Sequence, residues 1–429
     1  MKKRVLVFPC GSEIGLEIHN ALQFSTHVEL YGGSSAPDHG KYVYKNYLET
    51  LPFVDDISFI KKLNRLIVTH KIDLIFPAHD SVVLKLAENT SRIKCQIIGS
   101  PLRTCEICRS KKKTYQHFKH LFNTPKVYPT TKTVKKFPVF LKPEVGQGTK
   151  GTHIAYSLQD IEFYLHQDPT LLILEYLPGE EYTIDCFTDR RGKLRFIGPR
   201  KRSRISNGIS VNTFPVSIPD LTALAKKINK HLIFRGAWFF QVKKNSSGNF
   251  CLLEIAPRIA GSMGLYRNLG INFALLSIFD LLGLDIEIIT RNYEIKMDRA
   301  LFNRFHLDLN YKHVYVDLDD TIIFNNQINP LVMMFLYQCL NRQIKIHLLS
   351  RHHPSTVKNL NSTLKRYHLS SLFAEIIAIP KDKDKTTYIT KKDSIFIDDS
   401  FAERQAVAIK CGIPTFEVSS LESLIDWRY

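Results

Sequence analysis

The sequence predicts a multidomain protein with α/β parts at both ends and an α+β part between them. Three observations predict it. The chain has 429 residues, more than the ~250–300 that a single hydrophobic core organises. Its two terminal stretches alternate short apolar strands with helix-period segments, the pattern of doubly wound parallel sheets. The middle carries strands joined by hairpin-type turns, which argues for mostly antiparallel sheet.

Taken in order, RVLVF (4–8) is a buried-strand run, followed by Gly11, Gly15 and an apolar periodic stretch through Leu22. Strand, glycine-bearing turn and helix make a Rossmann-like opening, although the spacing is not GxGxxG and no dinucleotide is inferred. IDLIF (72–76) before PAHDS, and QIIGS (96–100), repeat the strand-then-turn pattern, giving a Rossmann-like domain over 1–103. From 104 to 307 the strands are FPVFLKP (137–143), TLLILEYL (170–177), EYTIDCFTD (181–189), KLRFIG (193–198), GAWFFQVK (236–243) and NFCLLEIAPR (249–258). The last two are joined through a turn, NSSGN, and a helical stretch follows at 271–283. Residues 289–309 read as a linker. Over 310–429, HVYVDLDDT, a helix at 329–342, IKIHLLS, a further helix, EIIAI, SIFIDDS and AERQAVAIKCG alternate strand with helix in a doubly wound parallel α/β domain.

Composition excludes several classes. With 44% hydrophobic and 23% charged residues the chain can build cores, so disorder is not its main state. No apolar run approaches the ~18 residues of a membrane span, and Met-Lys-Lys-Arg passes directly into a strand, unlike a signal peptide. A cytoplasmic protein without a membrane partner is predicted. The net charge of +18 comes from bases spread along the chain. Nucleotides and other small anions account for it without a nucleic-acid partner. The eight cysteines show no disulfide framework, and the lone CxxC, Cys105 and Cys108, lacks a second pair and reads as two structural helix residues.

FPVFLKPEVGQGTKGTHI (137–154) ends a strand in Lys142 and then places Gly146, Gly148 and Gly151 in a loop with Gln147, Thr149 and Lys150. Glycines let backbone N–H groups close on phosphate oxygens, and the lysine adds a fixed positive charge. It is not a Walker loop, and a plain Gly-rich hairpin has the same look. Four basic residues, Arg200, Lys201, Arg202 and Arg204, crowd a second hairpin, either as a solvated turn or as anion binders.

The company of these motifs is more specific. SKKKTYQHF (110–118), the glycine loop, LEYLPGEEYTID (174–185), RKRSRISNGIS (200–210), QV (241–242) and LEIAPRIAGS (253–262) follow one another in a series that resembles the ATP-grasp superfamily. The likeness is to its carbamoyl-phosphate-synthase-like carboxylate–amine ligases and covers roughly 1–305, a pre-ATP-grasp domain and an ATP-grasp domain. The resemblance implies that Lys111 and Lys142 hold ATP phosphates under a lid formed by Gly146, Gly148 and Gly151. It implies that Glu175, Tyr176 and Leu177 border the adenine and that Glu181 takes the ribose. Gln241 and Glu254 would carry Mg²⁺, or Mn²⁺ in its place. Arg258 would face the γ-phosphate or acyl phosphate, and Arg202 and Arg204 would bind anions. Phosphoryl transfer needs mainly charge neutralisation and positioning, which this set supplies. One departure is Ala256, where the family's EINPR motif has an asparagine, so a second metal would be held differently.

In the C-terminal part, VYVDLDDTI (314–322) ends a strand in Asp317, Asp319 and Thr321. Ser350 ends the strand of IHLLSRH, Lys385 precedes SIFIDDS, and Asp398 and Asp399 end the next strand. Carboxylates gathered at the carboxyl ends of parallel strands need a cation, and Mg²⁺ is the natural one. In order, the set resembles the haloacid-dehalogenase (HAD) superfamily. That resemblance implies that Asp317 is a nucleophile forming an aspartyl phosphate and that Asp319 is the general acid and base. Ser350 and Lys385 would bind phosphoryl oxygens, with Lys383 as the competing lysine. Asp317, the Asp319 carbonyl and Asp398 would hold the metal, with Asp399 as alternative. About 28 residues separate Thr321 from Ser350, so the domain is capless. His352 and His353 read as exposed loop histidines.

The combined reading is a bifunctional enzyme. An ATP- and Mg²⁺-dependent ligase joins a small-molecule carboxylate to an amine, and a phosphatase acts on a related phosphorylated metabolite. By the same resemblance it forms a homodimer. Two alternatives stand beside it: a carboxyphosphate or carbamoyl-phosphate-type synthase, and an ATP-binding sensor or scaffold whose phosphatase alone is active.

Overall fold

The computed structural model of the chain describes residues 2–49, 51–146, 148–351, 357–380 and 382–428, with 357–359 in backbone only. Gln147, His352 and His353 lie outside these. The chain divides into two compact units, 1–301 and 302–428. Among the described residues no helix is long and apolar enough to cross a membrane.

The first unit begins with a parallel sheet in the order Asn46–Leu48, Val28–Gly33, Lys3–Phe8, Leu74–Pro77, Gln96–Ile97. Its central strand is buried on both faces, with Val5, Leu6 and Val7 fully covered, which is why it reads as an unbroken apolar run rather than an alternating one. Helix Glu13–Leu22 starts just past that strand, capped by the Ser12 hydroxyl, which accepts from the Gly15 N–H at 3.0 Å. Helix Asp80–Glu88 starts just past the neighbouring strand, and there the His79 ring accepts from the Ser81 N–H. Both helix starts thus sit at the carboxyl edge of the sheet.

Two antiparallel sheets follow. The four-stranded one runs Val127–Tyr128, Leu171–Glu175, Val139–Pro143, His153–Ala155 over a small core of Val139, Leu141, Ala155 and Ile161. It carries Lys142 and, between its last two strands, the glycine loop. The six-stranded one runs Phe250–Ala256, Gly236–Lys244, Glu181–Thr188, Leu194–Ser206, Ile209–Pro215, Met297–Asp298. Helix Pro219–His231 covers its apolar face, where Trp238, Phe240 and Ile184 are fully buried. The last strand corrects the linker assigned to 289–309, because Met297 and Asp298 pair with Thr213 and Asn212. Two residues carry no readable alternation, so only the partner strand reveals them.

The second unit is a five-stranded parallel sheet in the order Glu375–Ile379, Lys345–Arg351, His313–Val316, Ser394–Ile397, Thr415–Phe416. Apolar clusters cover both faces, one around Val314, Val316, Phe335 and Leu336, the other around Tyr315, Leu349, Phe396 and Val407. Between the first strand and helix Pro330–Asn341 the chain inserts a small hairpin, Ile323–Phe324 with Gln327–Ile328. Asn325 and Asn326 make its turn at positive φ, the backbone that a two-residue primed turn demands and that asparagine tolerates.

Gly198 lies in the strand Leu194–Ser206, where a Cβ would fall 2.5 Å from the Tyr266 ring and 2.6 Å from the Phe196 ring. Gly198→Ala is expected to lower stability by about 1–3 kcal/mol through overpacking, seen as a lower melting temperature. An unchanged melting temperature would show that these rings move aside freely.

Candidate functional site

In the first unit, the carboxyl edge of the parallel sheet and the polar face of the six-stranded sheet border a cavity of about 690 Å³. Among the residues assigned from sequence, Lys111, Gly146, Gly148, Arg202, Gln241, Glu254 and Arg258 line it. Lys142, Gly151, Glu175, Tyr176, Leu177, Glu181 and Arg204 are not in its lining.

Strand register sets the floor. Glu254 pairs with Gln241, Gln241 with Thr183, and Thr183 with Arg200. Paired residues project to the same face of a sheet, so these four polar side chains form one row. Arg202, two residues along its strand, donates to Gln241 Oε1 at 2.9 Å and to the Gly208 carbonyl at 2.6 Å, and also pairs with Glu181. Arg200 grips the fully buried Asp185 through Nε at 2.7 Å and Nη2 at 3.3 Å. Arg204 instead pairs with Asp298 at 2.8 Å on the exposed sheet edge, turned there by the irregular pairing between Arg202 and Arg204.

The glycine loop folds onto this floor. Gly148 and Gly151 have φ of +63° and +68°, backbone that favours glycine. A Cβ on Gly208 of the opposite hairpin would lie 2.6 Å from the Thr149 nitrogen. Helix Lys111–Phe118, N-capped by Ser110, fixes the loop's root: the Lys111 N–H donates to the Glu144 carbonyl at 3.1 Å and Lys111 Nζ to the Gly146 carbonyl at 3.3 Å.

The electrostatics are those of an anion site with few free carboxylates. Burial pushes the Lys142 ammonium down to about 8, with Glu254 and Glu181 partly offsetting it. Burial also lowers Lys111, again opposed by Glu254. Arg258 is held by Asp80 through two bonds of 2.6 and 2.7 Å. Burial alone would raise the Asp80 carboxyl, but the Arg258 charge outweighs it and the net shift is downward. This partner, 178 residues away in the chain, has no local sequence signal. Thr183 did have one: the alternation of EYTIDCFTD puts Glu181, Thr183 and Asp185 on one face. Glu254 and the Gln241 oxygen, which accepts from Arg202 at 2.9 Å, are oxygen donors of the kind a divalent cation takes, and Ala256 in the same lining offers no ligand.

In the second unit, Asp317 follows the central strand and is 6% exposed. Lys385 Nζ lies 2.6 Å from both Asp317 Oδ1 and Asp398 Oδ2. Carboxylate oxygens of Asp317, Asp398 and Asp399 lie within 4.8 Å of one another, a donor set that suits Mg²⁺. Burial, the largest influence, raises Asp317 to about 7 against the pull of Lys385. Burial would lower Lys385, but Asp317 and Asp398 together raise it. The Thr321 hydroxyl accepts from the Asp399 N–H at 3.1 Å, and Ser350 is fully buried. Asp319 is exposed. Lys383 stays out of the cluster; its carbonyl accepts from Arg351 Nη1 at 2.7 Å.

The Lys142 shift fixes a sign. Its folded value, about 8, lies below the ~10.4 of an unfolded chain. Between these values the unfolded chain binds the extra proton, so raising pH through this window favours folding. Below about pH 8 the native state bears the full penalty, about 3 kcal/mol. Nucleotide-free Lys142→Met is therefore expected to melt above the wild type at pH 7, with the gap narrowing toward pH 10. A pH-independent gap would contradict the shift.

Residues 167–299 match the family described as ATP-grasp in the biosynthetic pathway with Ter operon. A D-alanine–D-alanine ligase of Fusobacterium nucleatum is 26% identical over 150 residues, 32% of this chain and 52% of the ligase, so the match spans about half of that enzyme. Among solved structures, a biotin carboxylase–β,γ-ATP complex from Campylobacter jejuni superimposes with TM-score 0.57 at 16% identity, over 68% of this chain and 74% of that one. An L-amino acid ligase from Bacillus licheniformis gives 0.53 at 17%, over 66% and 74%. N5-carboxyaminoimidazole synthetase from Staphylococcus aureus gives 0.54 at 17%, over 68% and 81%. These structural likenesses concern the fold alone: about two thirds of the chain superimposes on these proteins, and the family match lies within that part.

Proposed function

We propose that the chain is a bifunctional enzyme. Its ATP-grasp domains (1–103 and 104–307) form an amide from a small-molecule carboxylate and an amine, and its C-terminal domain (310–429) is a capless HAD-like phosphatase. The observation that carries the ligase reading is the single cavity that gathers Lys111, the glycine loop, Gln241, Glu254 and Arg258.

In this reading the substrate carboxylate attacks the γ-phosphorus of ATP, the bond to the β-phosphate oxygen breaks, and ADP leaves. The amine nitrogen then attacks the acyl carbon, phosphate departs, and the amine loses a proton. Lys111 and Lys142 neutralise phosphate charge, and the glycine loop excludes water from the acyl phosphate. Arg258, held in place by Asp80, faces the transferred group. Glu175, Tyr176 and Leu177 border the adenine, Glu181 takes the ribose, and Arg202 binds an anion. Gln241 and Glu254 would hold Mg²⁺, which supplies charge neutralisation between phosphates. Arg204, tied to Asp298, has no part in it.

The phosphatase reading is supported by the Asp317–Lys385–Asp398 contacts at the carboxyl edge of the second parallel sheet. An Asp317 oxygen attacks phosphorus and the alcohol leaves with a proton from Asp319, which then takes a proton from the water that hydrolyses the aspartyl phosphate. Lys385 and Ser350 hold the phosphoryl oxygens, and Mg²⁺ at Asp317, the Asp319 carbonyl and Asp398, with Asp399 beside them, would offset the charge. The enzyme acts in the cytoplasm as a homodimer.

Wild-type protein is expected to release ADP only when a carboxylate and an amine are both present, and Lys142→Ala to lose at least about 100-fold of that rate. AMP and pyrophosphate as products would overturn the ligase chemistry. ATP binding without turnover would favour the sensor alternative, toward which Ala256 points. For the phosphatase, Asp317→Asn with ATP, Mg²⁺ and a small-molecule extract, followed by untargeted mass spectrometry, is expected to accumulate a phosphorylated amide absent with wild type. Identical products from both proteins would separate the two activities.

A further inference from the structure

Most polar atoms on the cavity floor already have partners. Arg200 spends Nε and Nη2 on Asp185, and Arg202 spends its two terminal nitrogens on Glu181, Gln241 and Gly208. Three donors are left over. Thr183 Oγ1, Arg200 Nη1 and Arg202 Nε are buried and have no hydrogen-bond partner among the described residues. Thr183 and Arg200 are each 1% exposed and Arg202 9%, yet all three residues line the cavity. A buried donor without an acceptor is strongly disfavoured, so three such donors carried by residues that line one hollow mark a place whose acceptor arrives with a ligand.

The register shows which end of the ligand that is. Glu254, Gln241, Thr183 and Arg200 stand on four neighbouring strands, and strands lie ~4.8 Å apart. The backbone of Arg200 is therefore roughly 14 Å from that of Glu254 by the same spacing. In the ligase reading the phosphate chain lies toward Lys111 and the cation-binding Glu254 at one end of the row, and the spare donors stand toward the other. Both guanidiniums are already matched to carboxylates, so the subsite offers directed N–H and O–H groups, the complement of an oxyanion.

We propose that Thr183, Arg200 and Arg202 form an oxyanion subsite that holds an acidic group of the ligase's acid substrate. This rests on the ligase reading and extends it to two residues, Thr183 and Arg200, that the nucleotide does not need.

The test uses the full-length protein saturated with ADP and Mg²⁺, titrated separately with succinate and with inorganic phosphate and read by calorimetry. Thr183→Val replaces the hydroxyl by a methyl of the same shape. It is expected to weaken binding of at least one of these anions about tenfold while ADP and AMP-PNP affinities stay unchanged. Without ligand it should melt at or above the wild-type temperature, because an unpartnered hydroxyl has been removed. Arg200→Lys, which keeps a charge for Asp185 but loses Nη1, should weaken the same anion. Equal anion affinity in wild type and Thr183→Val, or no anion binding by wild type, overturns the proposal. A matching loss for AMP-PNP with ADP unaffected also overturns it, by assigning the donors to the γ-phosphoryl group. Anion binding that depends on Thr183 in a protein that never turns over ATP would sink the ligase reading and leave the subsite standing.

Discussion

A charge taken out of water is costly unless another charge or a directed dipole meets it, with a penalty of several kcal/mol per ion, and both sites are arranged around that requirement. Arg200 and Asp185 are almost wholly covered and meet through two nitrogens. Arg258 is clasped by Asp80, Arg202 by Glu181, and Lys385 by two aspartates at once. Each pairing orients a long side chain that would otherwise sample many rotamers, so the neutralisation that permits burial also fixes geometry. Lys142 is the exception: it is buried without a direct ion pair among the described residues, and burial depresses it, a deficit that an anionic ligand would relieve.

The sheets distribute these charges in a way that serves chemistry. In the six-stranded sheet one face is largely apolar around Trp238 and Phe240, and the other carries the polar row from Glu254 to Arg200. Alternation along each strand separates the two faces, and register across strands aligns the polar side chains. The parallel sheets work differently. Their central strands are buried on both faces, and Asp80 and Asp317 lie just past the carboxyl ends of two of them. Helix starts at the same edges, such as the Ser12-capped helix of the first unit, add oriented N–H groups.

Much of this was legible in the residues. The two doubly wound parts announced themselves through apolar runs and helix-period segments, and the antiparallel middle through its hairpin turns. Lys111, Gly146, Gly148, Gln241 and Glu254, which the family resemblance singled out, line one cavity. Other features left no local trace. The strand Met297–Asp298 is too short to show a period, and the hairpin at 323–328 hid between a strand and a helix. Arg204 read like Arg202 in sequence, but the irregular pairing between them sends one to the cavity and the other to the rim.

By itself the sequence determined most of the strands and helices and which charges are available for anions and cations, because these depend on periodicity and on chemistry within a few residues. The tertiary structure alone decided which charges are spent on one another. Asp80 claims Arg258 across 178 residues, Asp185 claims Arg200, and Lys385 rather than Lys383 reaches Asp317. It likewise decided which donors are left unspent, since Thr183 Oγ1 and Arg200 Nη1 have no partner among the described residues. Pairing across a fold depends on register and packing between distant segments, and neither is written in the order of the residues at any one place.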